Sequence, residues 1–130
     1  MRVVVDASAA VNALVPGELQ DATLGHLGEH DLFVPELIDT EVLSALARLE
    51  RAGVIGADEA GHAVASWQRL PCTRVSTAPL VPEIWAARQS LRISDAHYVV
   101  LSTALGATLL TADRRLARAV THDVSVLTVT

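Results

Sequence analysis

The stretch RVVVDASAAVNALVPG, residues 2–17, predicts the class of fold. Arg2–Asp6 has the form of a short buried strand, because an apolar run of β-branched residues ends in a carboxylate. Ser8 can then cap a helix, which Pro16 and Gly17 bring to an end. A strand that passes directly into a helix is the repeating unit of α/β proteins, in which parallel neighbours need a crossover.

The same alternation continues along the chain. The predicted strands are Arg2–Asp6, Asp31–Val34, Thr73–Ser76, Ala107–Thr111 and Val124–Val129. The helices predicted after the first are Glu18–Glu29, Glu36–Ala52, Asp58–Leu70, Val81–Leu91, Asp95–Leu105 (capped by Ser94) and Asp113–Val120. We therefore expect one α/β domain, residues 1–130, with an open parallel sheet of about five strands and helices on both faces. The binding crevice of such a sheet lies beyond the carboxyl ends of its strands.

Composition narrows the class of protein. Hydrophobic residues make up 51% of the 130 residues, which argues for a folded chain. No apolar run approaches the roughly 18 residues of a membrane-spanning helix, so we expect no membrane association. Asp6 interrupts the N-terminal apolar stretch, which argues against a signal peptide. Cys72 is the single cysteine, so no disulfide can form within the chain and a cytoplasmic location is expected.

The charge of the chain bears on its substrate. A net charge of −5 is unfavourable for a protein that handles nucleic acid. If four of the 15 acidic residues belong to one metal site, however, 11 remain against 10 basic residues, and the rest of the chain is nearly neutral. Every basic residue is arginine, whose planar fork binds phosphate bidentately. Biased codon usage explains the same composition equally well.

Four carboxylates are candidate ligands for a metal site at the carboxyl edge of the sheet. Asp6 ends the first strand, Asp113 follows Ala107–Thr111, and Asp95 opens a helix. Glu41 lies inside a long helix among apolar neighbours, where an unpaired charge is costly. A metal ion would offset that cost, and a set of oxygen ligands suits Mg²⁺ or Mn²⁺ better than zinc.

Each of these carboxylates also has a purely structural interpretation. Asp6 can cap the helix that follows it, and Asp95 and Asp113 can favour helix N-termini through the helix dipole. Glu41 can pair with Arg48, which lies further along the same helix, or with an arginine from elsewhere in the chain. Spacing alone leaves both interpretations open.

Other kinds of site fit the sequence less well. A Mg²⁺-dependent phosphatase with Asp6 as nucleophile would carry a second aspartate two positions later, where Ser8 stands. A phosphate-receiver domain would need a lysine, and the chain has none. His26 and His30 have a spacing that can bind zinc, but no third ligand is apparent in the sequence, so an exposed polar pair is expected.

Three blocks of the sequence resemble the signature segments of PIN-domain nucleases. They are VVVDASAAVNAL (residues 3–14), VPELIDTEVLSALARL (residues 34–49) and SDAHYVVLSTALGATLLTADRRLARA (residues 94–119). The chain is most similar to the VapC toxins of bacterial toxin–antitoxin pairs. The resemblance runs from Val3 to Val129, although Ala57–Leu91 carries little of it.

The resemblance implies a set of functional residues. The catalytic and metal-binding carboxylates correspond to Asp6, Glu41, Asp95 and Asp113. Supporting hydroxyl groups correspond to Ser8 and Thr111. Some PIN domains carry a further acidic residue just beyond the last aspartate, where this chain has Arg114 and Arg115. That departure puts a tightly bound second ion in doubt.

The arginines that follow Asp113 are candidate phosphate contacts. They are Arg114, Arg115 and Arg118, which share one short predicted helix. A solvated helix face explains the same three residues equally well.

The resemblance further implies an activity and partners. We expect a Mg²⁺-dependent (or Mn²⁺-dependent) endoribonuclease that cleaves RNA by metal-activated water and leaves 5′-phosphate and 3′-hydroxyl ends. As the toxin of a toxin–antitoxin pair, it would be inhibited by a cognate antitoxin and would form a homodimer. The alternative is a PIN-fold module that binds RNA or protein without cleavage. The sequence leaves open which RNA is cut and which of the two ions is used.

Overall fold

The computed structural model describes residues 1–120 and 124–130. Its strands are β1 (Arg2–Val5), β2 (Asp31–Pro35), β3 (Thr73–Val75), β4 (Thr108–Thr111) and β5 (Val126–Thr128). Its helices are α1 (Ala7–Leu14), α2 (Gln20–Glu29), α3 (Leu37–Arg51), α4 (Ala57–Arg69), α5 (Val81–Ala86), α6 (Ile93–Leu105) and α7 (Arg114–Ala119). A short 3₁₀ turn, Ala78–Leu80, precedes α5. Every predicted strand and helix is therefore present.

The five strands form one parallel sheet in the order β3-β2-β1-β4-β5. The predicted open parallel sheet is confirmed. The strand order reverses at β1, which pairs with β2 on one side and with β4 on the other. In sheets of this kind the ligand crevice opens where the order reverses, at the carboxyl ends of the strands. A ligand site is therefore expected at the carboxyl ends of β1 and β4.

Helices cover both faces of the sheet, as predicted. Val3, Val4 and Val5 of β1 are all buried. Because successive side chains of a strand point to opposite faces, burial of all three requires a covered surface on each side.

Among the described residues, no helix combines the length and the apolar character that crossing a bilayer requires.

Two helices have N-cap residues other than the predicted ones. Asp6 is the N-cap of α1, because its side chain accepts a hydrogen bond from the backbone N–H of Ala9 at 2.9 Å. Ser8, the predicted cap, therefore lies inside the first turn. Arg92 is the N-cap of α6, with an extended backbone and no side-chain capping bond, so Ser94 also lies inside its helix.

The helix predicted over Val81–Leu91 is shorter in the structure. It ends at Ala86, where the N–H of Ala87 is shared between the carbonyl groups of Glu83 and Ile84. Such a tightened turn ends the α-helical hydrogen-bonding pattern.

Candidate active site

A cavity of about 370 Å³ opens at the carboxyl ends of β1 and β4. All four predicted carboxylates line it: Asp6, Glu41, Asp95 and Asp113. Two of them follow strands β1 and β4, and the other two project from helices α3 and α6. The structure therefore brings together carboxylates that are far apart in the sequence.

Asp6 is the most deeply buried of the four, with 3% of its surface exposed. Ser8 Oγ and the N–H of Ala9 donate to its Oδ1 at 2.7 and 2.9 Å, and Thr111 Oγ1 donates to its Oδ2 at 2.5 Å. Burial raises the pKa of Asp6, the hydrogen bonds lower it in part, and the charge of Asp113 raises it further. In the described ranges no basic nitrogen lies within 4.0 Å of this carboxylate. The buried charge is thus hydrogen-bonded but lacks a counter-charge.

Ser8 and Thr111 connect the ends of β1 and β4. Besides donating to Asp6, Ser8 Oγ accepts from the N–H of Ala112 at 3.0 Å, and Thr111 Oγ1 accepts from the N–H of Asp113 at 2.9 Å. Each hydroxyl group therefore donates a hydrogen bond to Asp6 and accepts one from a backbone N–H in the segment that follows β4. Their contribution to catalysis stays a prediction.

Glu41 has a hydrogen-bond partner that was not predicted from the sequence. The hydroxyl of Tyr98 donates to Glu41 Oε1 at 2.5 Å. Burial, followed by this hydrogen bond, raises the pKa of Tyr98 far above its usual range, so the hydroxyl remains a donor. No arginine of the described chain lies within 4.0 Å of Glu41, so the alternative pairing with Arg48, or with an arginine from elsewhere, is wrong. The spacing along α6 could have indicated this partner, because Tyr98 lies one turn after Asp95 and therefore on the same face of the helix.

Arg115 connects the other two carboxylates. Its Nη2 lies 3.1 Å from Asp95 Oδ2 and 3.1 Å from Asp113 Oδ2. These contacts, first the hydrogen bond to Asp95, raise the pKa of Arg115. Asp113 Oδ1 also accepts from the N–H groups of Arg115 and Leu116 and so caps α7. A cationic nitrogen therefore already lies between two of the predicted metal ligands.

The three arginines of α7 do not converge on one surface. Arg115 lines the acidic cavity, whereas Arg114 and Arg118 line a separate cavity of about 320 Å³ beside the end of β5. Two other arginines, Arg48 and Arg92, line the acidic cavity instead. They come from α3 and from the N-cap of α6. Arg48 was considered from the sequence only as a partner of Glu41, and Arg92 was not considered.

The donor set fits a hard divalent ion of the Mg²⁺ or Mn²⁺ type, because every carboxylate ligand offers oxygen. Among the described residues, no three of these carboxylates have oxygens that all lie within 4.8 Å of one another. Mg²⁺ usually binds one or two carboxylates directly and keeps several waters, so this wider arrangement suits it. The position of Arg115 between Asp95 and Asp113 shows that the cavity stabilises positive charge.

The fold and the site together define an α/β protein with an acidic cavity where the order of a parallel sheet reverses. The family model that matches is the PIN domain, over residues 3–121. The chain therefore belongs to the PIN-domain family.

Two relatives specify the branch. Ribonuclease VapC3 of Mycobacterium tuberculosis is 40% identical over 119 residues, which cover 91% of this chain and 87% of that protein. Ribonuclease VapC9 of the same organism is 41% identical over 116 residues, which cover 88% of each. The resemblance to VapC ribonucleases that the sequence blocks indicated is confirmed.

Solved structures of low sequence identity show the same fold. PAE2754 from Pyrobaculum aerophilum has a TM-score of 0.72 and 23% identity, with 97% of this chain and 83% of that chain covered. A chain of VapBC2 from Rickettsia felis, bound to a DNA fragment from their promoter, has a TM-score of 0.70 and 9% identity, with 98% of each covered.

Proposed function

We propose that this chain is a divalent-cation-dependent endoribonuclease and the toxin of a toxin–antitoxin pair. The observation that carries the proposal is the meeting of four carboxylates in one cavity at the point where the strand order reverses. The relatives named as VapC ribonucleases, at 40 and 41% identity, support the same activity.

The residues of the cavity divide into distinct tasks. Asp6, Asp95 and Asp113 would hold the cation, and Glu41, oriented by Tyr98, would accept a proton from the attacking water. When bound, Mg²⁺ or Mn²⁺ would lower the pKa of a water molecule in its coordination shell and would neutralise charge on the phosphodiester. Attack at phosphorus with departure of the 3′-oxygen leaves a 5′-phosphate and a 3′-hydroxyl end.

The arginines would hold the RNA backbone. Arg48 and Arg92 line the acidic cavity, where they can contact phosphates on either side of the scissile bond. Arg114 and Arg118 line the separate cavity beside β5, so the phosphate contacts proposed for them would lie outside the reaction centre.

An antitoxin would bind the groove between α3 and α4. This groove has a volume of about 320 Å³, and Leu43 and Val64 on its walls are 46% and 40% exposed. Trp67, one turn further along α4, is by contrast buried. Exposed apolar side chains that line one groove are typical of a surface that another protein covers. Leu43→Glu should therefore weaken antitoxin binding without loss of nuclease activity.

Self-association is a separate part of the proposal. An apolar patch formed by Val81, Trp85 and Ile93 is exposed on α5 and α6, and a second copy of the chain would cover it in the proposed homodimer. Light scattering of wild type and Trp85→Arg tests this, since the variant should be monomeric. One domain over residues 1–130 and a cytoplasmic location stay predictions.

The first experiment is cleavage of end-labelled cellular RNA by the purified chain, freed of any bound protein. Reactions contain Mg²⁺, Mn²⁺ or a chelator, with wild type, Asp6→Asn, Glu41→Gln and the control Asp21→Asn, whose side chain is exposed on α2. We expect discrete 5′-phosphate products from wild type and Asp21→Asn only, and none with chelator. Cleavage that survives Asp6→Asn would identify a contaminant. Tight RNA or protein binding without cleavage would favour the interaction module.

A further inference from the structure

A second group of metal-ligating side chains lies at the C-terminal end of α2. His26 is in the last turn, Glu29 ends the helix, and His30 is the C-cap. One ligand atom from each of the three lies within 4.8 Å of the others, and no other such group occurs among residues 1–120 and 124–130. The expectation that the histidine pair lacks a third ligand is wrong. Glu29 falls on the same side of the helix because positions i, i+3 and i+4 share a face.

The three side chains lie close together, but neither histidine forms an ion pair with Glu29. No ring nitrogen of His26 or His30 lies within 4.0 Å of the Glu29 carboxylate. Nδ1 of His30 is buried and has no hydrogen-bond partner within the described part of the chain. A buried nitrogen without a partner costs free energy, which a bound ion would recover. The C-terminal end of a helix also favours positive charge.

We propose that His26, Glu29 and His30 bind a divalent transition-metal ion of the zinc type, with water in the fourth position. Two imidazoles and one carboxylate are a recurrent zinc ligand set. Imidazole also favours zinc over the hard ions that suit the all-oxygen active site. The proposal rests on α2 alone and is independent of the proposed nuclease activity.

Binding at this site would stabilise the native protein. It would fasten the last turn of α2 to His30, the residue that leads directly into β2. An ion that binds the folded chain and not the unfolded chain shifts the equilibrium towards the folded state. We therefore expect zinc to raise the melting temperature of the full chain.

The test is a zinc titration of the full-length chain against a chromogenic chelator, with Mg²⁺ in large excess to occupy the acidic cavity. We expect one tight zinc site per chain. His26→Gln and His30→Gln should each weaken it at least about tenfold, since loss of even an indirect partner of a metal typically costs 10- to 100-fold. His62→Gln, which alters an exposed histidine on α4, should bind zinc like wild type.

Cys72 is the competing ligand to exclude, because it shares a cavity of about 470 Å³ with His30. Cys72→Ser should keep the zinc site, and cobalt in its place should show no thiolate charge-transfer band. Zinc affinity that is unchanged in both histidine variants, or lost only in Cys72→Ser, overturns the proposal. If His30→Gln is unstable, His26→Gln decides alone. A zinc-induced rise in melting temperature that persists in His26→Gln also overturns the proposal.

Discussion

The hydroxyl of Tyr98 donates a hydrogen bond of 2.5 Å to Oε1 of Glu41 and so joins helix α6 to helix α3 inside the acidic cavity. Glu41 projects from the side of its helix, and no arginine of the described chain holds it. The orientation of its carboxylate therefore depends on Tyr98. Because burial raises the pKa of Tyr98, this donor keeps its proton across the neutral range.

Tyr98→Phe should lower RNA cleavage while the fold persists. A hydrogen bond to a charged group contributes about 1.5–3 kcal/mol, which corresponds to a rate loss of roughly 10- to 100-fold. The measurement is the single-turnover cleavage rate at saturating Mn²⁺, beside a thermal melt. Thr103→Val is the matched control, because its hydroxyl lies on the same helix but bonds to the carbonyl of Val99. An unchanged rate in Tyr98→Phe would show that Glu41 needs no positioning.

Asp6→Asn should abolish cleavage and yet raise the melting temperature of the metal-free protein. The ionised carboxylate is buried without a counter-charge and is repelled by Asp113, so its neutral replacement relieves a cost. Asparagine keeps an oxygen that can accept from Ser8 and Ala9. The measurement is thermal unfolding at neutral pH with a chelator present.

The pH dependence of that stability has a definite sign. The pKa of Asp6 is raised in the folded state above its ordinary value of 3.8. Its contribution is therefore fully present below that value and is lost as the pH rises through the folded pKa. As the pH rises through the folded pKa of Asp6, wild type should lose more stability than Asp6→Asn. Asp21→Asn should follow the wild-type curve, and equal pH profiles for wild type and Asp6→Asn would contradict the argument.

The sequence was sufficient for the fold because each strand carries its own signal. Consecutive valines in β1 predicted a strand buried on both faces, and the structure buries all three. Parallel pairing then followed from the helix between each pair of strands. Helix starts were less predictable, since Asp6 and Ser8 are both good caps and only the three-dimensional arrangement shows which one reaches the free N–H.

The carboxylates were predictable where their position along an element places them. Asp6 and Asp113 each follow a parallel strand, so both were expected at the carboxyl edge of the sheet. That their strands β1 and β4 are neighbours is shown only by the structure. The positions of the arginine side chains were not predictable, because the direction of a long side chain on a short helix depends on packing. Arg115 points into the acidic cavity, whereas Arg114, its neighbour in sequence, lines another.

Arg115→Ala should tighten binding of Mn²⁺ to the acidic cavity. The guanidinium bridges Asp95 and Asp113, so a divalent ion that uses these carboxylates must displace it. The contacts are solvent-exposed and screened, so we expect a gain of roughly two- to fivefold in affinity. Electron paramagnetic resonance of free Mn²⁺ measures this without reference to cleavage. Arg114→Ala removes the same charge from the same helix and should leave the affinity nearly unchanged. Equal effects of the two variants would point to general electrostatics.

A further ion pair, between Asp39 and Arg74, lies away from the site and stabilises the fold. Asp39 on α3 accepts from Trp67 Nε1 at 2.7 Å and from Arg74 Nε and Nη2 at 2.8 and 2.9 Å. It thereby connects α3, α4 and β3. The hydrogen bond from Arg74, and then that from Trp67, lowers the pKa of Asp39. Its stabilising contribution is therefore present above the ordinary value of 3.8 and is lost as the pH falls through the folded pKa.

Asp39→Asn should lower the free energy of unfolding by about 1 kcal/mol at neutral pH, because the partners are half-exposed and the ion pair is screened. Denaturant unfolding followed by Trp67 fluorescence measures the loss. Trp85→Phe, made in both chains, removes the exposed second tryptophan. The difference between the two chains should shrink as the pH falls below 3.8, since the wild-type carboxylate is then progressively protonated. A difference that stays constant down to pH values well below 3.8 would assign the loss to packing, and the ionised pair would then contribute nothing.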